Sequence, residues 1–140
     1  MHTWNNAIKT ALEPLANSDK APQMQAYMRH RFQFYGIQAT QRREVLKPLF
    51  AKEQLPNIDD LPRIIRELWL LPEREFQMVA VDLLIKRKKQ LPETFLAEVE
   101  WLIITKSWWD TVDLLASHIV AALHINHTAQ TQDYISRWRV

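Results

Sequence analysis

The residues best suited to chemistry lie in one short stretch, residues 105–113, where a carboxylate follows an indole by four positions. A helix over this stretch places Trp109 and Asp113 on the same face, since side chains four residues apart are neighbours on a helix. A fixed carboxylate can stabilise positive charge or orient a water molecule, and an indole face attracts cations. The pair is therefore a candidate site.

The neighbouring residues predict how this helix begins and which side of it is buried. Ser107 is predicted to be the N-cap, with Asp110 at the third helical position, so the two form a variant capping box and Asp110 has a structural role. Asp113 lies one turn further, where no cap requires a carboxylate. Trp108 is assigned to the core, together with an apolar stripe at helical spacing: Val112, Leu115, Ile119 and Leu123.

Composition excludes several classes of protein. The 140 residues include no cysteine, which removes disulfides and thiolate metal sites, and a single glycine among many helix-forming residues. The N-terminus does not have the pattern of a signal peptide, and no run approaches the ~18 apolar residues of a membrane span, so we expect a cytoplasmic protein. The histidines lack metal-ligand spacing, and we expect neither a metal nor another cofactor.

Apolar periodicity predicts about eight helices joined by short turns rich in proline, Asn and Asp, and it predicts no strand. Helices paired at such intervals are typical of an all-α, HEAT-like repeat solenoid, an α-α superhelix, and we expect residues 1–140 to form one such domain. The only glycine, Gly36, lies among aromatic residues and predicts an ordered turn with positive φ. Thr40 is predicted to cap a helix that extends to about Gln54.

Two groups of basic residues could meet a polyanionic partner, one within residues 29–47 and one at residues 86–89. The net charge of +2 allows a polyanionic partner without requiring one. In the helix after Thr40 the core stripe leaves a basic side for water or a partner: Arg42, Arg43 and Lys47. These residues, with Arg29, are either a solvated face or a surface that binds phosphates. The basic residues 86–89 lie at the end of a predicted helix, where positive charge is stabilised by the negative end of the helix dipole. Contact of these residues with DNA is the less favoured alternative.

Four motifs resemble the AlkD-type DNA alkylation repair glycosylases, which are built from HEAT-like repeats. The motifs, in order along the chain, are Tyr27-Met28-Arg29 with Phe32-Gln33-Phe34-Tyr35-Gly36-Ile37; Arg42-Arg43; Leu68-Trp69 with Pro72-Glu73-Arg74-Glu75-Phe76-Gln77; and the stretch from Thr105 to Asp113. Members of the family usually continue through further helices, which carry an active-site arginine and another tryptophan. We therefore expect the chain to be C-terminally truncated relative to the family and to self-associate through an apolar face exposed there.

The resemblance implies a role for individual residues. Asp113 becomes the catalytic carboxylate and Trp109 its aromatic partner, with Tyr27 and Gln38 lining a cleft that faces DNA. The implied reaction hydrolyses the N-glycosidic bond of positively charged N3- or N7-alkylated purines in double-stranded DNA. The implied site needs no metal and no deep pocket for a flipped base.

Each of these residues also has an ordinary structural interpretation. Asp113 can pair with a cation on a neighbouring helix, Trp109 can belong to the core, and Tyr27 and Gln38 can be plain helix and loop residues. The alternative function is a non-catalytic HEAT-like module that binds DNA or protein.

Overall fold

The computed structural model describes residues 1–106 and 108–138, and every regular segment of this part of the chain is helical. The α-helices are α1 (Thr3–Leu12), α2 (Ala21–Tyr27), α3 (Ala39–Leu46), α4 (Leu61–Leu70), α5 (Arg74–Arg87), α6 (Phe95–Ile104), α7 (Trp109–Leu114), α8 (Ala121–Asn126) and α9 (Thr128–Trp138). A π-helical segment, Leu115–Val120, joins α7 to α8 without a break. The predicted all-α class is confirmed.

The chain divides into two compact units, Met1–Ala80 and Val81–Val140, with the boundary inside α5. In the first unit, α1 packs on α3 and α4, and the apolar faces of these helices are fully buried. The core residues with at most 2% exposure include Ile8, Leu12, Leu46, Ile64, Leu68 and Trp69. Each such side chain contributes about 1.5–3 kcal/mol of hydrophobic stabilisation.

Glu67 of α4 joins the N-terminus to this core. Its carboxylate accepts hydrogen bonds from the His2 backbone N–H at 2.8 Å and from Asn5 Nδ2 at 2.9 Å. Arg63 Nε donates to the other oxygen at 3.0 Å. Burial raises the pKa of Glu67, but the hydrogen bonds from His2, Asn5 and Arg63 outweigh it and lower the pKa to about 2. The charged form of Glu67 is therefore part of the folded structure.

Two predicted helix boundaries in the first unit are wrong. The α3 helix begins at Ala39 with Gln38 as the N-cap residue, so Thr40 is not the cap. It ends at Leu46 and continues as a 3-10 turn, Lys47–Phe50, because Pro48 lacks the N–H that an α-helix requires.

The predicted turn at Gly36 is confirmed, since φ of this residue is +93°. A Cβ atom added there would lie 2.2 Å from the Asn17 carbonyl oxygen, so the position accepts glycine alone. The chain passes this close because the Asn17 N–H donates to the Tyr35 carbonyl at 2.8 Å. Glycine thus allows the aromatic segment 32–37 to lie against the turn that precedes α2.

In the second unit, α6 and the continuous helix of residues 109–126 bury their apolar faces together. The core members are Phe95, Leu96, Val99, Leu102, Leu115, Ile119 and Leu123. Three of the four predicted stripe residues of the 109–126 helix are buried, while Val112 is only half-buried and Thr111 is fully buried. His127 ends the helix, and its ring Nε2 lies 3.1 Å from the Leu91 carbonyl oxygen.

The π segment explains how one side of this helix stays buried over four turns. The buried positions 111, 115, 119 and 123 follow each other at intervals of four. In an α-helix of 3.6 residues per turn, side chains spaced by four residues move gradually around the helix axis. A π turn contains more residues per turn, so it brings side chains at this spacing back onto one side. The wider turn therefore keeps both this stripe and the opposite, exposed stripe aligned.

Candidate active site

The predicted pair of Trp109 and Asp113 lies on the exposed side of α7. Trp109 is the first residue of the helix and is 50% exposed, and Asp113 one turn later is also exposed. Within residues 1–106 and 108–138 no side chain forms a hydrogen bond or ion pair with the Asp113 carboxylate. The surface-acid interpretation, in which Asp113 pairs with a lysine or arginine, thus finds no partner in that part of the chain.

The start of this helix differs from the prediction. Trp108, in extended conformation, is the N-cap residue, so the helix begins one residue later than predicted. Asp110 Oδ1 accepts from the Thr111 N–H at 2.8 Å, which gives Asp110 a local structural role. The predicted capping box also involves Ser107, which lies outside the described residues. Trp108 is half-buried.

Lys106 reverses the chain between α6 and α7 with a φ of 54°. A non-glycine residue in the left-handed region costs roughly 1–2 kcal/mol, and such residues are concentrated at functional sites.

Tyr27 and Arg29 lie together at the end of α2, in the first unit. The helix ends in a Schellman motif, in which the Arg29 N–H donates to the Ala26 carbonyl and the His30 N–H donates to the Gln25 carbonyl. Arg29 and His30 have φ values of 55° and 57°, where glycine is the usual residue. Tyr27 is 71% exposed and borders an open apolar cavity of about 250 Å³.

The other predicted DNA-facing residues surround α3 of the first unit. Gln38 is exposed, and its side-chain oxygen lies 3.4 Å from Lys20 Nζ. Arg43 and Lys47 are exposed, in agreement with the predicted basic side. Arg42 is only 4% exposed, so its assignment to that side is wrong. It lies one turn before the buried Leu46 and shares the buried face of the helix with it.

Sequence analysis missed Glu75, which organises the segment that leads to Gln38. Glu75 is 1% exposed, and its carboxylate accepts three backbone hydrogen bonds. The Tyr35 N–H donates to Oε1 at 3.0 Å, and the Gly36 and Ile37 N–H groups donate to Oε2 at 3.1 Å each. Hydrogen bonds to a charged acceptor are the strong ones, so this carboxylate holds the loop in place. Its only signal in the sequence is its position in the Pro72 to Gln77 motif.

The same motif supplies two further buried polar residues. The Arg74 guanidinium stacks on the Phe32 ring at 3.8 Å from its centre, and the Arg74 N–H donates to the Gln33 carbonyl at 2.7 Å. Gln77 Nε2 donates to the carbonyls of Leu68, Trp69 and Leu71 and so completes the end of α4. Burial, with the nearby Glu73 carboxylate, raises the pKa of Tyr35 far above its usual value. Tyr35 therefore stays neutral.

Across residues 1–106 and 108–138 no group of three or more His, Asp or Glu side chains is arranged to hold a metal ion. In the same ranges no helix has the length and apolarity needed to cross a membrane.

Comparison with known proteins identifies the family. The family model described as "DNA alkylation repair enzyme" matches residues 8–140. A solved structure, the predicted DNA alkylation repair enzyme from Enterococcus faecalis, is 31% identical and superimposes with a TM-score of 0.69. The alignment covers 80% of this chain and 53% of that one, so the chain spans about half the length of that relative. No curated protein matches the chain. The chain belongs to the DNA alkylation repair enzyme family.

Proposed function

We propose that the protein is a DNA glycosylase that removes positively charged N3- or N7-alkylated purines from double-stranded DNA in the cytoplasm. The observation that carries the proposal is the Trp109–Asp113 pair, exposed on one helix face with a carboxylate that no described residue engages. Membership of the DNA alkylation repair enzyme family supports it.

The proposed chemistry uses the charge that the lesion already carries. When the glycosidic bond breaks, its electron pair goes to the base, which leaves as a neutral molecule, and positive charge develops on the sugar. The Asp113 carboxylate stabilises this oxocarbenium-like sugar and orients the water that adds to it, as carboxylates do in other glycosyl hydrolyses. The water then loses a proton and leaves an abasic site. The Trp109 face stabilises the cationic base or sugar by a cation–π interaction.

In this proposal the exposed residues of the first unit bind DNA. Arg29, Arg43 and Lys47 neutralise backbone phosphates, with the release of counterions, and Tyr27 and Gln38 contact the duplex. Glu75 keeps Gln38 in position through the loop that precedes it. Arg42, being buried, is not part of this surface.

The test compares lesions that differ in charge. Duplexes that contain 7-methylguanine, which is cationic, or O6-methylguanine, which is neutral, are incubated with excess protein, and free base is measured by chromatography. We expect release of 7-methylguanine alone. Equal release of both bases would mean that the charge of the lesion does not drive the reaction.

A second candidate is a DNA-binding module without chemistry, and the exposed cations Arg43 and Lys47 favour it because they bind phosphate whether or not a reaction follows. Duplex binding with a steep salt dependence, and no release of any base, would select the module. Absence of DNA binding even at low salt would exclude both candidates and leave a protein-interaction scaffold.

A further inference from the structure

A cavity of about 370 Å³ in the second unit has no role in the proposed reaction. It lies where the turn after α5, Lys88–Gln90, meets the π segment and α8. Its polar lining consists of Lys88, Lys89, Ser117, His118 and Asn126, and its apolar lining includes Ile125, which is 79% exposed. Side chains from distant parts of the sequence thus converge on one space.

The charge of this cavity selects an anion. Two lysines are among its lining residues, and none of these residues is acidic. Neither Lys88 nor Lys89 forms an ion pair with any residue in the ranges 1–106 and 108–138. Both complement the negative end of α5, but that does not account for the hydroxyl, imidazole and amide supplied by another helix. The Ser117 hydroxyl already donates to the Asp113 carbonyl. The His118 imidazole and the Asn126 amide beside two lysines are groups that can donate to phosphate oxygens.

The 109–126 helix links the cavity to the proposed catalytic pair. Its exposed positions recur at intervals of four, and Ser117 and Ile125 lie on the same stripe as Trp109 and Asp113. The π segment keeps this stripe aligned, and Ser117 Oγ donates to the Asp113 carbonyl at 2.8 Å. Four helical residues rise by about 6 Å, and a strand of duplex DNA rises by about 3.4 Å per nucleotide. For a strand that runs along this helix, the step from Asp113 to Ser117 corresponds to about two nucleotides.

We propose that this cavity is a phosphate subsite, in which Lys88, Lys89 and His118 hold a backbone phosphate of the DNA strand whose sugar faces Asp113. This inference rests on the proposed function for the identity of the ligand. The ligand chemistry is a phosphate ester with an apolar neighbour, because Ala121, Ala122 and Ile125 line the same cavity. A free mononucleotide also carries a phosphate ester, so the experiment must distinguish it from the phosphate of a DNA strand.

The test measures binding of an undamaged fluorescent duplex by anisotropy over a range of salt concentrations. The variant is Lys88→Ala with Lys89→Ala, and the control is Lys86→Ala, an exposed lysine of the same basic run that does not line the cavity. We expect the double variant to weaken binding about tenfold and to reduce the log–log salt slope by about one, the value for a single phosphate contact. We expect Lys86→Ala to leave both the dissociation constant and the salt slope unchanged.

Equal weakening per lysine removed, in the variant and in the control, would mean that only net charge matters and would overturn the subsite. A second arm titrates the protein with inorganic phosphate and with adenosine monophosphate and follows the Ser117 and His118 amides by NMR. Shifts at these amides, with unchanged duplex affinity in the double variant, would assign the cavity to a free phosphate ester and overturn the DNA assignment.

The binding measurement is independent of base release. Loss of duplex affinity in the double variant, with no base release by the wild-type chain, would leave the subsite intact and refute the glycosylase proposal. Base release by the wild type, with unchanged affinity and salt slope in the double variant, would refute the subsite and leave the glycosylase proposal intact.

Discussion

At the scale of single residues, the proposal depends on a half-exposed indole, Trp109, and an exposed carboxylate, Asp113, on one helix face. Burial of Trp109 would have gained hydrophobic free energy, yet half of its surface faces solvent. Such an exposed aromatic residue beside an unengaged acid is typical of a binding or catalytic surface. The predictions that follow from the pair concern rate and not folding.

Replacement of Trp109 tests whether its aromatic face takes part in the reaction. We expect Trp109→Phe to keep part of the cation–π stabilisation and Trp109→Ala to remove it, with single-turnover release of 7-methylguanine about tenfold slower in the alanine variant than in the phenylalanine variant. The measurement is the rate at saturating protein, so that changes in DNA affinity do not contribute. Equal rates for the two variants would show that the aromatic face has no part in the reaction.

The positions of Trp109 and Asp113 could be predicted from the sequence because the core stripe of the same helix excludes them from the buried side. Arg42 could not be predicted on residue type alone, since arginine is rarely buried. Arg42 precedes the buried Leu46 by four residues, and this spacing places both on one face of the helix. Arg43 and Lys47 are also four residues apart, and both are exposed. Periodicity was thus more informative than charge.

At the scale of elements, the Glu75 carboxylate connects α5 to the loop before α3. The three N–H groups that it binds belong to consecutive residues, 35, 36 and 37, so one side chain fixes the whole segment. Sequence analysis could predict the turn, from its glycine, but not the acceptor. A buried glutamate and an exposed one look alike in a helix whose other residues are mostly apolar.

The amide in Glu75→Gln would turn an NH₂ group toward backbone N–H donors and remove the charge. We expect a loss of about 2–4 kcal/mol in the free energy of unfolding, measured by urea denaturation, and weaker duplex binding through displacement of Gln38. Glu53→Gln, at an exposed position of the same unit, is the control. If Glu75→Gln were as stable as this control, the carboxylate would not be what holds the loop.

The π segment is the other element that the sequence did not predict. Apolar residues at intervals of four fit an ordinary α-helix nearly as well over two turns, and no residue type marks a π turn. The difference appears only over four turns, where the buried side would otherwise drift around the helix. Its consequence is functional in our proposal, since it aligns Asp113 with the phosphate subsite.

At the scale of the whole molecule, the all-α class followed from composition and periodicity, because one glycine and many helix formers leave few alternatives. The buried polar residues Arg74, Glu75 and Gln77 did not follow, because their partners are backbone groups brought close by folding. Self-association through an exposed apolar face stays a prediction, and Ile125 in the proposed subsite is one exposed apolar residue.

The lowered pKa of Glu67 predicts how the stability of the chain depends on pH. Its folded pKa of about 2 lies below the ordinary 4.5, so its contribution is complete above pH 4.5 and is lost as the pH falls toward 2. We expect this contribution to be on the order of 2 kcal/mol, since the group is partly exposed. Glu67→Gln should lower stability at pH 7 and flatten the acid limb of a plot of unfolding free energy against pH.

The matched control is Glu44→Gln, at an exposed position of the same unit. It should leave both the stability at pH 7 and the acid limb unchanged. A Glu67→Gln variant whose stability falls as steeply between pH 4.5 and pH 2 as that of the wild type would show that Glu67 is not the group responsible.

The central claim is that Asp113 performs the hydrolysis. Its most direct test is single-turnover release of 7-methylguanine from a methylated duplex by the 140-residue chain, beside Asp113→Asn, with Asp133→Asn as an exposed control on α9. We expect the wild type and the control to release base at similar rates and Asp113→Asn to be at least 100-fold slower, about 3 kcal/mol of lost transition-state stabilisation, with duplex affinity kept. Release by Asp113→Asn at the wild-type rate would contradict the account.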